Sequence, residues 1–154
     1  MHISQKWLLR LIIVLLFWQM NAYAEDGTVG TISRVSGPAT IARQNESFPA
    51  EKGIRLFEGD RIYTQKDGAV GMILYDNTIL SLGSSSSLTI TTFRFAPNEE
   101  EYAMEIELSK GKFLYNSGVI GKVRPKAVRL LMPIGTLGTL GTKFLVDLEG
   151  EERK

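Results

Sequence analysis

The chain has 154 residues, 44% of them hydrophobic, with 18 lysines and arginines against 17 acidic residues and no cysteine. That length suits one domain with a real core, and the near balance of charge excludes a global attraction for nucleic acid. The missing cysteines exclude disulfide staples, a lipid anchor on a modified cysteine, and thiolate chemistry.

The first element in chain order is a leader. Lys6 and Arg10 flank an apolar run, Leu11 to Trp18, and Ala22-Tyr23-Ala24 presents an A-x-A pattern before Glu25-Asp26. This predicts a secretory signal peptide over 1–24, cleaved after Ala24, followed by a domain over 25–154. The run between Arg10 and Gln19 is shorter than the ~20 apolar residues that cross a bilayer, so no stable membrane anchor is expected after cleavage. Removing Lys6 and Arg10 leaves 16 basic residues against 17 acidic, a net charge of −1, and takes away the one histidine, His2.

The rest of the chain reads as short strands. Gly59-Asp60 is a reversal before Arg61-Ile62-Tyr63-Thr64, and Lys66-Asp67-Gly68 is the next. Val70, Met72 and Leu74 then alternate with Gly71 and Ile73, the period of a strand with one buried face. Asp76-Asn77 is expected to be a two-residue hairpin turn, because both types tolerate positive φ. Ser84 to Ser87 reads as a polar turn after Gly83, and Leu88 and Ile90 alternate with Thr89 and Thr91. Phe93 and Phe95 lead toward Pro97-Asn98, with two readings open: core, or an exposed aromatic patch. Glu99-Glu100-Glu101 is expected to be a solvated loop.

Met104, Ile106 and Leu108 are expected to be buried, with Glu105 and Glu107 in water, since alternation fixes which face meets the core. Gly111 marks a further reversal. Phe57, Phe113 and Phe144 are assigned to the core, and Phe144, Val146 and Leu148 repeat the alternation. No dozen-residue window carries a 3.6-residue stripe, so the fold class is all-β with many short strands, in either wound or hairpin topology.

Catalytic, cofactor-binding and metal-binding residues are all expected to be absent. The domain has no histidine or cysteine to serve as base, nucleophile or soft metal ligand. Glu105 and Glu107 stand ~6.6 Å apart along one strand edge rather than across a cleft. In Gly135-Thr136-Leu137-Gly138-Thr139-Leu140-Gly141-Thr142, Thr142 separates Gly141 from Lys143, so the Gly-Lys-Ser/Thr order of a phosphate loop is missing. Tight backbone packing, with threonine hydroxyls satisfying turn amides, is the reading preferred.

One local charge bias stands out: Lys110, Lys112, Lys122, Arg124, Lys126 and Arg129. Lys122, Arg124 and Lys126 share strand parity and are expected to line one face. That face is either a solvated edge guarded by lysine or a contact for an acidic partner or an anionic envelope polymer.

The run Gly59-Asp60, Ile62 to Thr64, Ala69-Val70, Asp76-Asn77 and Leu80 to Ile90 resembles the FecR domain, whose pattern is Gly-Asp, an apolar strand ending in Thr, an Ala-bearing strand, then Asp-Gly or Asp-Asn. Met132-Pro133-Ile134 through Gly141-Thr142 to Val146 is similar to that family's closing segment, and the resemblance covers roughly residues 29 to 148. It implies an irregular β-helix or solenoid-like β-sandwich, exported to the periplasm of a Gram-negative bacterium. It also implies a docking module whose partner is an envelope protein, an outer-membrane transducer being the family's example. Full-length signalling regulators of this kind are implied to carry a sigma-factor-holding segment and a membrane span; here a cleavable leader stands in their place, which points to a soluble accessory. The expected function is therefore a non-enzymatic exported binding module, with no cofactor and no nucleic-acid partner. A peptidoglycan- or polysaccharide-binding envelope protein is the alternative.

Overall fold

A computed structural model describes residues 27–138 and 142–148. The expected leader over 1–24, its cleavage point and Gly141 lie outside these residues. The described chain forms β1 (Thr28–Ser36), β2 (Ala39–Arg43), β3 (Glu46–Pro49), β4 (Arg55–Phe57), β5 (Arg61–Thr64), β6 (Ala69–Leu74), β7 (Ile79–Leu82), β8 (Ser87–Ala96) and β9 (Glu101–Asn116). A short helix, α1 (Val119–Val123), and a 3-10 turn (Pro125–Ala127) lead to β10 (Val128–Met132), β11 (Gly135–Gly138) and β12 (Lys143–Leu148).

The strands join in the order β3-β2-β5-β8-β9-β7-β6-β1-β4, with β10 and β12 also on β9, and β11 on β10. The fold is all-β, as the alternation requires. Every pairing is antiparallel except β10 with β9. Of the two topologies left open by the spacing, the described residues therefore adopt the hairpin kind, a curled open sheet like half a barrel. The parallel coils of a solenoid are not what they form.

The curl comes from corners that fall side by side. β1 passes to β2 at Gly37-Pro38, β5 to β6 at Gln65 to Gly68, and β7 to β8 at Gly83 to Ser86, while β9 changes partners at Gly111. Up to Lys110, β9 pairs with β8 and β10; from Gly111 onward it pairs with β7 and β12. Backbone bonds run across these corners: Gln65 N–H to Pro38 C=O (3.0 Å), Ser85 N–H to Gln65 C=O (3.1 Å), Thr64 N–H to Ser86 C=O (2.9 Å) and Gly83 N–H to Lys112 C=O (2.8 Å). Glycines and hydroxyls suit such a seam, because adjacent corners bring backbones together with little room for side chains.

Gly111 is thus no reversal but a corner inside a sixteen-residue strand. Its φ of +88° lies in the left-handed region, and a Cβ there would stand 2.6 Å from Ser86 Cα. Ser86 takes the ladder's place beside it, its hydroxyl accepting from Lys112 N–H at 2.8 Å and donating to Ser84 C=O at 2.9 Å.

Inside the curl sits one contiguous apolar cluster. It includes Ile41, Ile62, Leu88, Ile90, Ile106 and Leu130 from one limb, and Ile32, Met72, Leu74, Leu80, Phe113 and Tyr115 from the other. Met104, Ile106 and Leu108 are buried as expected; Glu107 is exposed, whereas Glu105 is half-buried and ion-paired to Arg129 at 3.2 Å. Phe113 is core, while Phe144 is partly buried and stacked on Tyr115 at 4.9 Å. Phe57 is half-buried under the Arg43 guanidinium, 4.4 Å from its ring centre. Ile120 of α1 is fully buried, so the helix, though short, contributes to the core.

Candidate interaction face

Of the motif residues singled out in the sequence, those among the described residues take part in turns, corners and buried hydrogen bonds. Asp60 is fully buried, and its carboxylate accepts two bonds from the Arg43 guanidinium, both 2.7 Å, and one from Phe57 N–H at 2.9 Å. Arg43 also donates to Arg55 C=O at 2.8 Å. Its hydrogen bond to Asp60 raises its pKa further. Gly59, at φ +85°, makes the tight turn that delivers Asp60 to this position. Thr64 lies in the corner seam, its hydroxyl donating to Gly83 C=O at 2.6 Å and accepting from Ser86 N–H at 2.9 Å.

Asp76 organises the connection after β9. The loop from Tyr75 to Thr78 is four residues long, not the two-residue turn expected, because Asp76 turns inward while Asn77 takes φ +64°. The fully buried Asp76 carboxylate accepts from Thr78 N–H (3.0 Å), Thr78 Oγ1 (2.8 Å) and Ile120 N–H (3.1 Å), and its carbonyl accepts from Val119 N–H (2.7 Å). Thr78 Oγ1 in turn accepts from Gly118 N–H at 3.1 Å. Otherwise unpaired amides at the start of α1 thus find partners. Nearby, the Tyr115 hydroxyl is buried without a hydrogen-bond partner. Burial pushes its pKa up; the neighbouring Ser117 hydroxyl opposes that rise without reaching bonding geometry. Thr142 has a backbone role, its carbonyl accepting from Ser117 N–H at 2.7 Å.

This anchoring carries the basic residues outward. Lys122 is on α1, Arg124 follows it, and Lys126 is in the 3-10 turn, so strand parity does not apply to them; all three are nevertheless exposed. The helix arises because Asp76 supplies amide partners from 40-odd residues away in sequence, a signal invisible to periodicity. Arg124 meets Glu100 at 3.5 Å across a solvent-exposed gap, a contact that contributes little by itself.

Arg124, Lys126 and Arg129 line an open groove of about 1140 Å³ together with Glu100, Tyr102, Val123, Pro125, Ala127, Val128, Leu137 and Gly138. Its floor holds apolar surface: Val123 is 56% exposed and Leu137 38%. Lys122 stands on the same helix turn but does not line it. Tyr102, Val123 and Leu137 escaped the sequence reading, since they belong to three elements that meet only through the curl.

Phe93 and Phe95 do not join this face. Phe93 is 7% exposed and belongs to the core, which removes the exposed-patch reading for it; Phe95 is half-buried, 6.2 Å from the Tyr102 ring. Both line a second groove of about 630 Å³, with Tyr75, Glu58 and Arg94, bordered by Glu99 of the Pro97–Glu99 turn. There Glu58 Oε1 accepts from Phe93 N–H and from Arg94, both at 2.6 Å. Among the described residues no group of three or more His, Cys, Asp or Glu could hold a metal ion.

A family model described as FecR protein matches residues 60–154. The chain belongs to the FecR family. The match opens at Asp60, the buried carboxylate, yet the sheet extends before it: β1 pairs with both β6 and β4. No significant match was found among curated proteins or among solved structures. FecR membership associates the chain with the cell envelope and its signalling. Among the described residues no helix is long and apolar enough to cross a membrane.

Proposed function

We propose that this FecR-family chain is a non-enzymatic binding module of the periplasm, docking through the face of Lys122, Arg124, Lys126 and Arg129 on an acidic region of another envelope protein. The observation that carries the reading is the convergence of Arg124, Lys126 and Arg129 on one groove floored by exposed Val123 and Leu137. Cations around apolar surface suit a protein contact, in which the apolar floor supplies affinity and the charges supply encounter rate and orientation. An outer-membrane protein and a role accessory to surface signalling fit this reading. No turnover of ester, glycoside, peptide or phosphoester substrates is expected.

The test is capture from envelope extract, followed by association and dissociation rates for the recovered protein. Reversing Lys122, Arg124 and Lys126 together should slow association more than it speeds dissociation. Unchanged association would move the contact elsewhere, with Phe95 and the second groove next. Tyr102 within the cationic groove favours one other ligand class, an anionic glycan of the envelope. Retention on peptidoglycan or polysaccharide that falls steeply with salt, with no protein recovered, would select it.

A further inference from the structure

We infer that the partner is received by strand addition: an extended segment alternating apolar and acidic side chains pairs with the open edge of β11. The inference rests on the docking reading above and specifies how its groove is used.

The curled sheet has four edge strands among the described residues, since β3, β4, β11 and β12 each pair on one side only. Exposed edges offer unpaired N–H and C=O groups, and proteins commonly guard them with charge, proline or brevity. β3 carries Glu46 and Pro49; β4 is three residues long and begins with Arg55; β12 carries Lys143 and Asp147. β11 reads Gly135-Thr136-Leu137-Gly138, all exposed, with neither charge nor proline. It is the one edge of the four left unguarded. In an antiparallel ladder every second residue turns its amide and carbonyl away from the existing partner, so β11 presents such groups outward.

The register states what an added strand would meet. Leu137 pairs with Leu130, which is fully buried, so Leu137 lies on the inner face and extends the core into the groove's floor. Gly138 pairs with Arg129, which pairs in turn with Glu105, on the opposite face. Gly138 has no side chain, and a Cβ there would meet nothing within 4 Å, so this face is open at β11, while the Arg129 guanidinium itself is paired with Glu105 of β9 at 3.2 Å. Alternate residues of an incoming strand therefore face Leu137 on one side and Arg129 on the other. Arg124 and Lys126 line the same groove. An apolar-acidic alternation matches both faces, and the ladder bonds supply the sequence-independent part of affinity.

The probe is an end-blocked eight-residue peptide alternating valine and glutamate, titrated into the full chain by fluorescence anisotropy, with amide exchange followed along β11. Saturable binding is expected, with slowed exchange of β11 amides. Methylating every peptide nitrogen should weaken binding more than tenfold, and replacing each glutamate with lysine should abolish it. Thr136→Pro, which removes a β11 donor and leaves every cation in place, should do the same; the methylated peptide gives that answer without a protein variant. Equal binding of the methylated peptide overturns strand addition while leaving the basic-face reading intact. No binding of either peptide, with partner association still slowed by charge reversal, does likewise. Self-association without peptide that Thr136→Pro abolishes would make a second copy the occupant and overturn the proposed partner.

Discussion

The corner seam and the open side of the curled sheet are made of different materials. At the seam, Thr64, Gly83, Ser86 and Gly111 bring four chain segments into backbone contact, with hydroxyls in place of ladder bonds. At the open side, Asp76 gathers the start of α1, and the chain beyond it exposes Lys122, Val123, Arg124 and Lys126. The family-like motif residues went to the seam and to the two buried carboxylates, Asp60 and Asp76. The charges that can meet a partner lie on and just after a segment whose start only Asp76 holds. A motif that names a family can thus describe how the domain is built while its contact face lies elsewhere.

The seam should fail most sharply. Gly111→Ala combines a left-handed φ with a Cβ pressed on Ser86 backbone, and is expected to cost about 3 kcal/mol or more by chemical denaturation. An effect under about 1 kcal/mol would mean the corner is not tightly closed.

Asp76→Ala strands three buried donors, and should cost ~3 kcal/mol or more at the order of 1 or more per unpaired group. Its informative signature is local: amides at Val119 and Ile120 should exchange far faster, and the groove's partner should be lost with α1. Asp76→Asn keeps acceptor oxygen and should fall between the two. If Asp76→Ala leaves partner binding intact, the open side does not depend on its anchor.

A pH experiment separates the two regions further. Burial raises the Tyr115 pKa, so the fold favours the neutral phenol. That contribution is fully present below the unfolded value of about 10 and is lost as pH rises through the higher folded value. Tyr115→Phe should lie within about 1 kcal/mol of the parent at neutral pH, since the hydroxyl it removes is unpaired. Above pH of about 10 the variant should lose less stability than the parent. Parallel alkaline unfolding curves would show that the phenol is solvated.

The smallest effect on stability is expected on the open side itself. Lys122→Glu with Lys126→Glu should shift unfolding by no more than about 0.5 kcal/mol, because both side chains are exposed and make no ion pair among the described residues. Partner association should nonetheless slow. A large loss of stability would turn these lysines into structural residues.

Much of the fold was legible in particular residues. Val70, Met72 and Leu74, or Met104, Ile106 and Leu108, declare both a strand and its buried face, because a period of two is local to the chain and any slip would expose the set. The same logic misplaced Gly111, since glycine signals a special backbone angle without saying whether the chain reverses there or bends within a strand. Lys122, Arg124 and Lys126 depart from alternation for a related reason: Asp76, distant in sequence, holds a helical turn there. Phe93 read as ambiguous because a strand's burial near its end depends on what lies across the curl.

The sequence by itself determined the strands, their inward residues, the family resemblance and the lack of histidine and cysteine outside the first 24 residues, all of them properties of neighbouring positions or of composition. Only the tertiary structure decided that four corners align into a seam, that Asp60 and Asp76 are buried anchors, and that Tyr102, Val123, Arg129 and Leu137 share one groove. The physical reason is that a curled sheet brings together residues whose separation along the chain carries no periodic trace, through backbone approaches and buried hydrogen bonds that exist only once the curl has closed.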